Sequence, residues 1–533
     1  NQNSNFLNLG EIGLVGITFY TFLSFIIHFF FPLNKSVNLT VSIIILILFF
    51  KFINLKYLKK LFFSENKVIL ISFFIVLLMT IKYKPNEDYG FYHLPYIINI
   101  ISEKIIFGLS NIQPQFAWNS SWLNFSSMLN FPIMGLKGIL LSNSILYFFL
   151  IIFFFHEIKK NKNNFQFSFY YILFLSFYTI IKFSRISEHG FDFPANYFLL
   201  ISIYYFIKIF ENKDKDFIER NFILLLLFST LCITIKLSTF ASPILVLGSF
   251  ILIIKKKIKI NKFYYPILFC FCFLFVWIIQ QFIYSSCFIP FFEFSCIKSV
   301  EWHDNNLSEV LRAATGSINK SFNQYSGNLS EAEYLKNFNW VHTWLLRNKI
   351  QFLEHLAAFI VPILILVAYN AKQILRSNFF VNFREINLFL TFLLTFLIIG
   401  LGTWFLKSPV IRFGIPYLFL FLFIIIYLII RNLIKINLAK GINVILILCI
   451  IFNVSKNILR IEDFKFNSNL FPKILENKYS TMTIDGFLVN YPDPVIKSSQ
   501  SQLCWSIPFI CHIEKGRNTS IKIYNNYLFV LRK

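Results

Sequence analysis

Charge is scarce in this chain. Charged residues make up 14% of its 533 positions, against roughly a quarter in ordinary soluble domains. A soluble domain this apolar would expose large adhesive patches, so a water-soluble globule is excluded. Acidic residues are the scarcer sign, 26 against 50 basic, for a formal charge of +24. The apolar stretches also lack the strict alternation that a transmembrane barrel requires. Missing too are a Walker loop, a dinucleotide fingerprint and zinc-finger spacing, and no internal repeat is strong enough to argue from.

What is present is apolar sequence in long runs. VILISFFIVLLMTI (68–81), ILLSNSILYFFLIIFFF (139–155) and YLFLFLFIIIYLII (417–430) are examples. With their flanks they reach or approach the roughly 17–25 residues that a helix needs to cross a bilayer. Backbone groups in lipid must be paired within their own segment, so helices are the expected form. The heavy Phe, Ile, Lys and Asn usage reads as the bias of an AT-rich genome. The fold class is therefore an all-α polytopic membrane protein with about 13 spans. They centre near 12–32, 38–54, 67–82, 135–156, 166–182, 194–210, 221–236, 239–254, 263–284, 352–370, 386–404, 414–431 and 442–455. The pair around Lys236 can also be read as one broken helix. No cleaved leader is expected, since Ile12–Pro32 is followed by further spans.

Basic residues sit in alternate short loops: Lys56, Lys59 and Lys60; Lys159, Lys160 and Lys162; Lys213 and Arg220; Lys255 to Lys257; Lys372 and Arg376; Arg431 and Lys435. The positive-inside rule makes these loops cytoplasmic, which also accounts for the net charge without nucleic acid. An inside N-terminus and an outside C-terminus satisfy every loop. The outer segments are then 83–134, 183–193, the turn at Lys236, 285–351, 405–413 and the tail. The organisation that follows is an N-terminal transmembrane hairpin (1–66), a transmembrane module with its first outer loop (67–284), an outer subdomain (285–351), C-terminal spans (352–455) and a small outer domain (456–533). In that last domain TMTIDGFLVNY and SIKIYNNYLFVLRK read as strands turning at Asp485-Gly486 and Asn525-Asn526. In the outer subdomain Ser330 and Glu333 have the spacing of a capping box.

Four cysteines lie inside spans. The other four fall on the outer side as close pairs, Cys287 with Cys296 and Cys504 with Cys511. Disulfides persist in oxidising compartments, so both pairs are expected to be bridged, free thiols being the alternative. A zinc site fits less well, since only His303 and His512 are near and the ligand spacing is poor.

The chemistry-bearing residues gather in the outer loops. Glu87 and Asp88 stand where a span surfaces, followed by Tyr92 and His93. Residues 94–107 have the spacing of a helix lying in the membrane interface. Asn111, Gln113, Gln115, Trp118, Asn119 and Trp122 then place amides beside aromatics, as a ring-shaped polar ligand such as a sugar would need; an aromatic belt explains them equally well. FSRISEHGFDFP (183–194) holds Arg185, Glu188, His189 and Asp192 in one tight turn. Lys236 and Arg412 lie near the ends of spans, as snorkelling cations or as phosphate ligands. Trp302, His342 and Trp344 are candidates to line an acceptor groove, or to pack against headgroups. Carboxylates and cations on one membrane face suit transfer chemistry on a lipid phosphate. A carboxylate can bind a metal or take a proton from an incoming hydroxyl, and cations can stabilise charge on a phosphate leaving group.

These residues resemble the GT-C glycosyltransferase superfamily, which includes protein mannosyltransferases, oligosaccharyltransferases and lipid A aminoarabinose transferases. More closely, the chain resembles a bacterial group of multi-spanning proteins of GT-C character and unassigned substrate. The resemblance is carried by Asp88, Tyr92-His93-Leu94, Gly108-Leu109-Ser110-Asn111 and Asn119-Ser120-Ser121-Trp122. It continues through Cys287, Ile289-Pro290, Cys296 and Trp302, then Pro409, Arg412 and Phe413, then Cys504-Trp505, Pro508 and Cys511. It implies a GT-C-like fold and an inverting transfer of sugar from a polyprenyl-phosphate donor to an envelope glycan, lipid or protein. Asp88 and Asp192 would be catalytic. Lys236 and Arg412 would bind donor phosphate, and Glu87, Tyr92, His93, Asn111, Trp118 and Asn119 would bind substrate. A divalent cation, Mg or Mn, is the cofactor such chemistry can call on. The adjacent Glu87-Asp88 departs from the spaced carboxylate pair of several GT-C enzymes. The expected location is a bacterial inner membrane. The alternatives are a transporter or flippase of lipid-linked sugars, or an O-antigen polymerase or ligase; inverted repeats would mark the transporter.

Overall fold

The structure is a computed structural model. It describes residues 7–52, 55–81, 88–161, 166–182, 190–322, 329–369, 386–430, 439–463, 474–493, 503–513 and 519–532. Glu87, Arg185, Glu188 and His189 lie outside the described residues.

In chain order the helices are α1 (Leu9–Phe30), α2 (Lys35–Phe52), α3 (Leu55–Thr80), α4 (Leu94–Ser102), α5 (Ser121–Ser127), α6 (Ser142–Asn161), α7 (Phe167–Lys182), α8 (Asp192–Glu211) and α9 (Lys215–Ile235). There follow α10 (Ser242–Lys255), α11 (Tyr264–Ser285), α12 (Leu307–Gly316), α13 (Glu331–Leu335), α14 (Trp340–Tyr369), α15 (Ile386–Lys407), α16 (Ile411–Ile430) and α17 (Ala439–Asp463). Among the described residues twelve helical segments are long and apolar enough to cross a membrane. The chain is a multi-pass membrane protein.

The thirteenth expected span, 166–182, is present as the shorter apolar helix α7. It has 16 residues, about 24 Å at 1.5 Å per residue. Every residue from Phe167 to Ile180 is buried, so α7 stands among other helices and need not match the thickness of lipid. With it, α8 forms the centre of the bundle, 94% of its apolar window being buried, whereas α2 is only 6% buried and presents Leu, Ile and Phe outward. The turn at Lys236 separates two helices that pack against each other, α9 and α10, so the two form a hairpin and not one broken span.

The two ends of α8 carry different polar clusters. At the Lys208 end Arg220 pairs with Glu11, Tyr205 Oη donates to Glu11 at 2.7 Å, and Lys208 lies 3.6 Å from Glu157. This ties α1, α6, α8 and α9 together. Glu11 also closes a capping box with Asn8 at the start of α1. The Asp192 end carries the site described below.

At that same end, the segment 94–102 departs from the expected interfacial helix. Leu94 to Ile100 of α4 are all buried, Asn99 included. The apolar face that suggested a membrane surface packs instead against α5 and the turn before it. The C-terminal region forms two antiparallel hairpins, β1 (Tyr479–Ile484) with β2 (Phe487–Pro492), and β3 (Thr519–Tyr524) with β4 (Tyr527–Arg532). Asp485, Gly486, Asn525 and Asn526 all have positive φ, the conformation that two-residue hairpin turns demand and that Gly, Asn and Asp tolerate best. The Ser330–Glu333 capping box is present as its spacing suggested.

Candidate functional site

Four residues from four separate stretches converge at the Asp192 end of α8. Asp88 opens a π-type turn, Tyr89–His93, that leads into α4. Asp192 occupies the first turn of α8, where the helix dipole favours an acid. Lys236 ends α9 in extended conformation. Arg412 lies in the first turn of α16. The turn before it is strapped down by two indoles: Trp344 donates to Pro409 O at 2.6 Å and Trp404 to Val410 O at 2.7 Å.

The side chains form a chain of alternating charge. Arg412 Nη2 donates to Asp88 Oδ2 at 2.8 Å, and Arg412 Nε stands 2.9 Å from Asp192 Oδ2. Lys236 Nζ donates to the other oxygen of Asp192. Below the cations lie aromatic faces. Lys236 Nζ sits 3.3 Å above the Phe413 ring and 5.3 Å from that of Phe191, geometry in which ring quadrupoles attract a cation. Asn196, one turn into α8, donates to the Arg412 carbonyl at 2.7 Å and fixes the first turn of α16. Burial pulls the Lys236 ammonium down to about 8, against the opposing pull of Asp192. Burial, and then Asp88 and Asp192, push the Tyr92 phenol well up, keeping it a neutral donor.

The remaining candidates divide into two sets. Tyr92, His93 and Trp118 border the ion cluster: the Tyr92 ring meets Trp118 edge-on at 5.4 Å, and His93 lies 4.7 Å from Phe191. Asn111 and Asn119 belong to the packing. Asn111 Nδ2 donates to Val530 O at 2.8 Å and Trp302 O at 3.0 Å. Asn119 accepts from Tyr96 Oη at 3.2 Å and donates to Trp277 O at 3.3 Å. Trp122 is fully buried and donates to Asn143. Trp302 packs against Phe107, Phe282 and Phe529, and Trp344 is spent on Pro409. Phe413, Phe191 and Asn196 support the cations without any motif that marks them in the sequence. The signal for the two rings was their adjacency to Arg412 and Asp192.

Both cysteine pairs are at disulfide distance, Cys287 with Cys296 and Cys504 with Cys511. Among the described residues no group of three or more His, Cys, Asp or Glu side chains could hold a metal ion. In the cluster itself the Arg412 guanidinium occupies the place between the two carboxylates that a bridging divalent ion would need, so the residues as arranged do not fit one.

A narrow, mostly apolar groove of about 30 Å³ opens between α7, α14 and α16, beginning at Ile411, the chain neighbour of Arg412. Ile411 and Ile415 line it beside Arg412, and Leu418, Phe419 and Leu422 continue it along α16. Tyr178 and His355 supply its polar contact, Oη to Nδ1 at 2.6 Å.

No curated protein and no solved structure matches the chain. Residues 3–419 do match a family model, described as a domain of unknown function (DUF8201). That stretch contains Asp88, Asp192, Lys236 and Arg412, and the C-terminal hairpins fall beyond it. The chain belongs to the DUF8201 family.

Proposed function

We propose that the protein is a membrane glycosyltransferase that moves a sugar from a polyprenyl-phosphate donor to an envelope glycan, lipid or protein on the outer face of the membrane. One observation carries this reading. Two carboxylates and two cations, delivered by four distant stretches, interlock at one end of the bundle beside an apolar groove. A ligand with an anionic head and a long apolar tail matches both features at once: its phosphate meets Lys236 and Arg412, and its chain lies along Ile411, Ile415 and Phe419.

The charge balance suggests how the groups divide the work. Without ligand, each cation is committed to a carboxylate. A donor phosphate competes for Arg412 and Lys236 and weakens the hold of Arg412 on Asp88. Asp192, paired to both cations, keeps them oriented. Asp88 then takes the proton of the acceptor hydroxyl as its oxygen bonds to the anomeric carbon. The bond from that carbon to the phosphate oxygen breaks, and the phosphate leaves with the electron pair under the stabilising charge of Lys236 and Arg412. Tyr92 and Trp118 offer an aromatic edge on which a sugar ring can rest.

The test is transfer by the purified protein in lipid vesicles. Radiolabelled sugar on a short-chain polyprenyl phosphate is supplied with candidate acceptors, and release of the prenyl phosphate is followed. Turnover that disappears in Asp88→Asn and in Arg412→Ala supports the reading. Donor consumed equally well by both variants would sink it.

A further inference from the structure

The C-terminal region reaches back to the turn that begins at Asp88. Cys504 and Cys511 close a small loop, and Trp505, next to the first of them, is fully buried. Its amide donates to Gly90 O at 3.0 Å. Its indole lies so close over Gly90 that a Cβ there would come within 2.2 Å of the ring. Tyr89, also fully buried, meets the indole edge-on at 6.0 Å. Only glycine at position 90 admits this contact.

The loop is itself anchored. Ser506 Oγ donates to Leu475 O at 2.8 Å, and Asn477 Nδ2 donates to Leu503 O at 2.8 Å. Asn490 of β2 donates through its amide to Ile510 O and through its side chain to Pro508 O. The second hairpin grips the same outer segment further on. Phe107 N donates to Leu528 O and Val530 N donates to Phe107 O, both at 2.9 Å, and Gly108, at φ 70°, lets Val530 O approach where a side chain would collide. The second hairpin thus holds the 88–111 stretch directly, and the first holds it through the disulfide loop, which grips it immediately beside Asp88.

We propose that the Cys504–Cys511 loop is a positioning element, with Trp505 as the positioning residue that sets the Tyr89–His93 turn and so presents Asp88 to Arg412. The proposal rests on the glycosyltransferase reading only for its kinetic consequence. Its structural content stands apart from that reading. Trp505 touches no reacting group. It acts by holding the backbone one and two residues beyond Asp88.

The experiment is hydrogen exchange by mass spectrometry on the full-length protein in nanodiscs, comparing wild type, Trp505→Ala and the Cys504→Ser/Cys511→Ser pair. Exchange of the amides from Tyr89 to Leu94 is expected to rise roughly tenfold or more, as for a segment released from a local anchor, while α8 stays protected. The Cys287→Ser/Cys296→Ser protein, which lacks the other disulfide, labelled after treatment with a dithiol provides the same reading without a substitution in the 504–511 loop. Two electrons from the dithiol turn the Cys504–Cys511 bond into two thiols, and the dithiol closes to its own disulfide. Unchanged exchange at 89–94 in the reduced protein or in a variant of wild-type melting temperature overturns the proposal. In the transfer assay, Trp505→Ala is expected to lower kcat at least tenfold with donor KM within about twofold, because Lys236 and Arg412 are untouched. Trp505→Phe should recover part of the loss. Faster exchange with full kcat also overturns the positioning role. Wild type that transfers no sugar rejects the glycosyltransferase reading and leaves the exchange result to decide this one.

Discussion

Arg412 meets Asp88 across 324 positions of chain, Nη2 to Oδ2 at 2.8 Å, while Nε of the same guanidinium faces Asp192 at 2.9 Å. A planar fork can serve two carboxylates in this way; a lysine ammonium is a single point of charge on a flexible stem. Arg412→Lys should therefore keep a cation in the site yet fail to hold both acids in register. A fall in kcat on the order of a hundredfold is expected, the scale seen when one preorganised donor to a transition-state charge is lost. The check is transfer kinetics beside donor binding, which should weaken far less.

Lys236 makes the site sensitive to alkali. Its ammonium is pulled down to about 8 by burial, so it is charged below that pH and neutral above it, whereas a solvated lysine stays charged to beyond 10. Binding of an anionic lipid phosphate should be strongest at neutral pH and weaken as pH rises through about 8. Lys236→Arg should move that limb upward, since guanidinium holds its proton throughout the range. Titrating fluorescent polyprenyl phosphate against both proteins from pH 6.5 to 9.5 reads the difference. A wild-type curve flat through pH 9 would remove Lys236 from phosphate binding.

How far the sequence discloses this arrangement depends on whether the signal is local. The two hairpins are legible because Asp485-Gly486 and Asn525-Asn526 carry turn chemistry within the dipeptide itself. The long spans are legible from run length. Asp88, Asp192, Lys236 and Arg412 stand out because charge at the end of a span is costly unless it is used. Nothing local distinguishes Asn111 from a ligand-binding amide, however, because its partners are the carbonyls of Trp302 and Val530. The same holds for Trp505, whose seat is Gly90, in the connection between α3 and α4. Residues 94–102 show the converse case. An amphipathic pattern says only that one face is covered, and here protein covers it, not lipid.

The position of Arg412 bears on metal dependence. A divalent ion bridging Asp88 and Asp192 would have to displace a guanidinium already in contact with both, at the cost of burying a third cation beside Lys236. Transfer by wild type is expected to be unchanged within about twofold in excess EDTA. Loss of activity restored by Mg or Mn would show that the cluster rearranges around an ion when donor binds.

At the opposite end of α8 the polar cluster has a different role. Glu11 is 1% exposed and pairs with Arg220, with Tyr205 as a further donor. Arg220→Met would leave that carboxylate buried without its cation, a loss worth roughly 3–5 kcal/mol when a buried pair is broken from one side. Arg220→Met with Glu11→Gln should recover much of the stability, because no uncompensated charge remains. Thermal unfolding of the three proteins in one detergent provides the comparison. A double variant no better than Arg220→Met would mean that the ion pair itself, and not the orphaned carboxylate, carries the effect.

Asn111 offers the clearest separation of packing from recognition. Its side-chain amide satisfies Val530 O in β4 and Trp302 O beyond α11, and Gly108 beside it lets β4 approach. Asn111→Leu keeps the branched shape and removes the donor, leaving two carbonyls short of a partner; about 1–3 kcal/mol is the cost of such a loss in a buried site. The second hairpin should therefore become easier to cleave by added protease and the melting temperature should fall, while the KM for donor stays within about twofold. A sugar-binding amide would behave in the opposite way, with KM raised and the hairpin as resistant as before. The two outcomes cannot both come from one hydrogen-bonding pattern, so a single variant measured both ways assigns the residue.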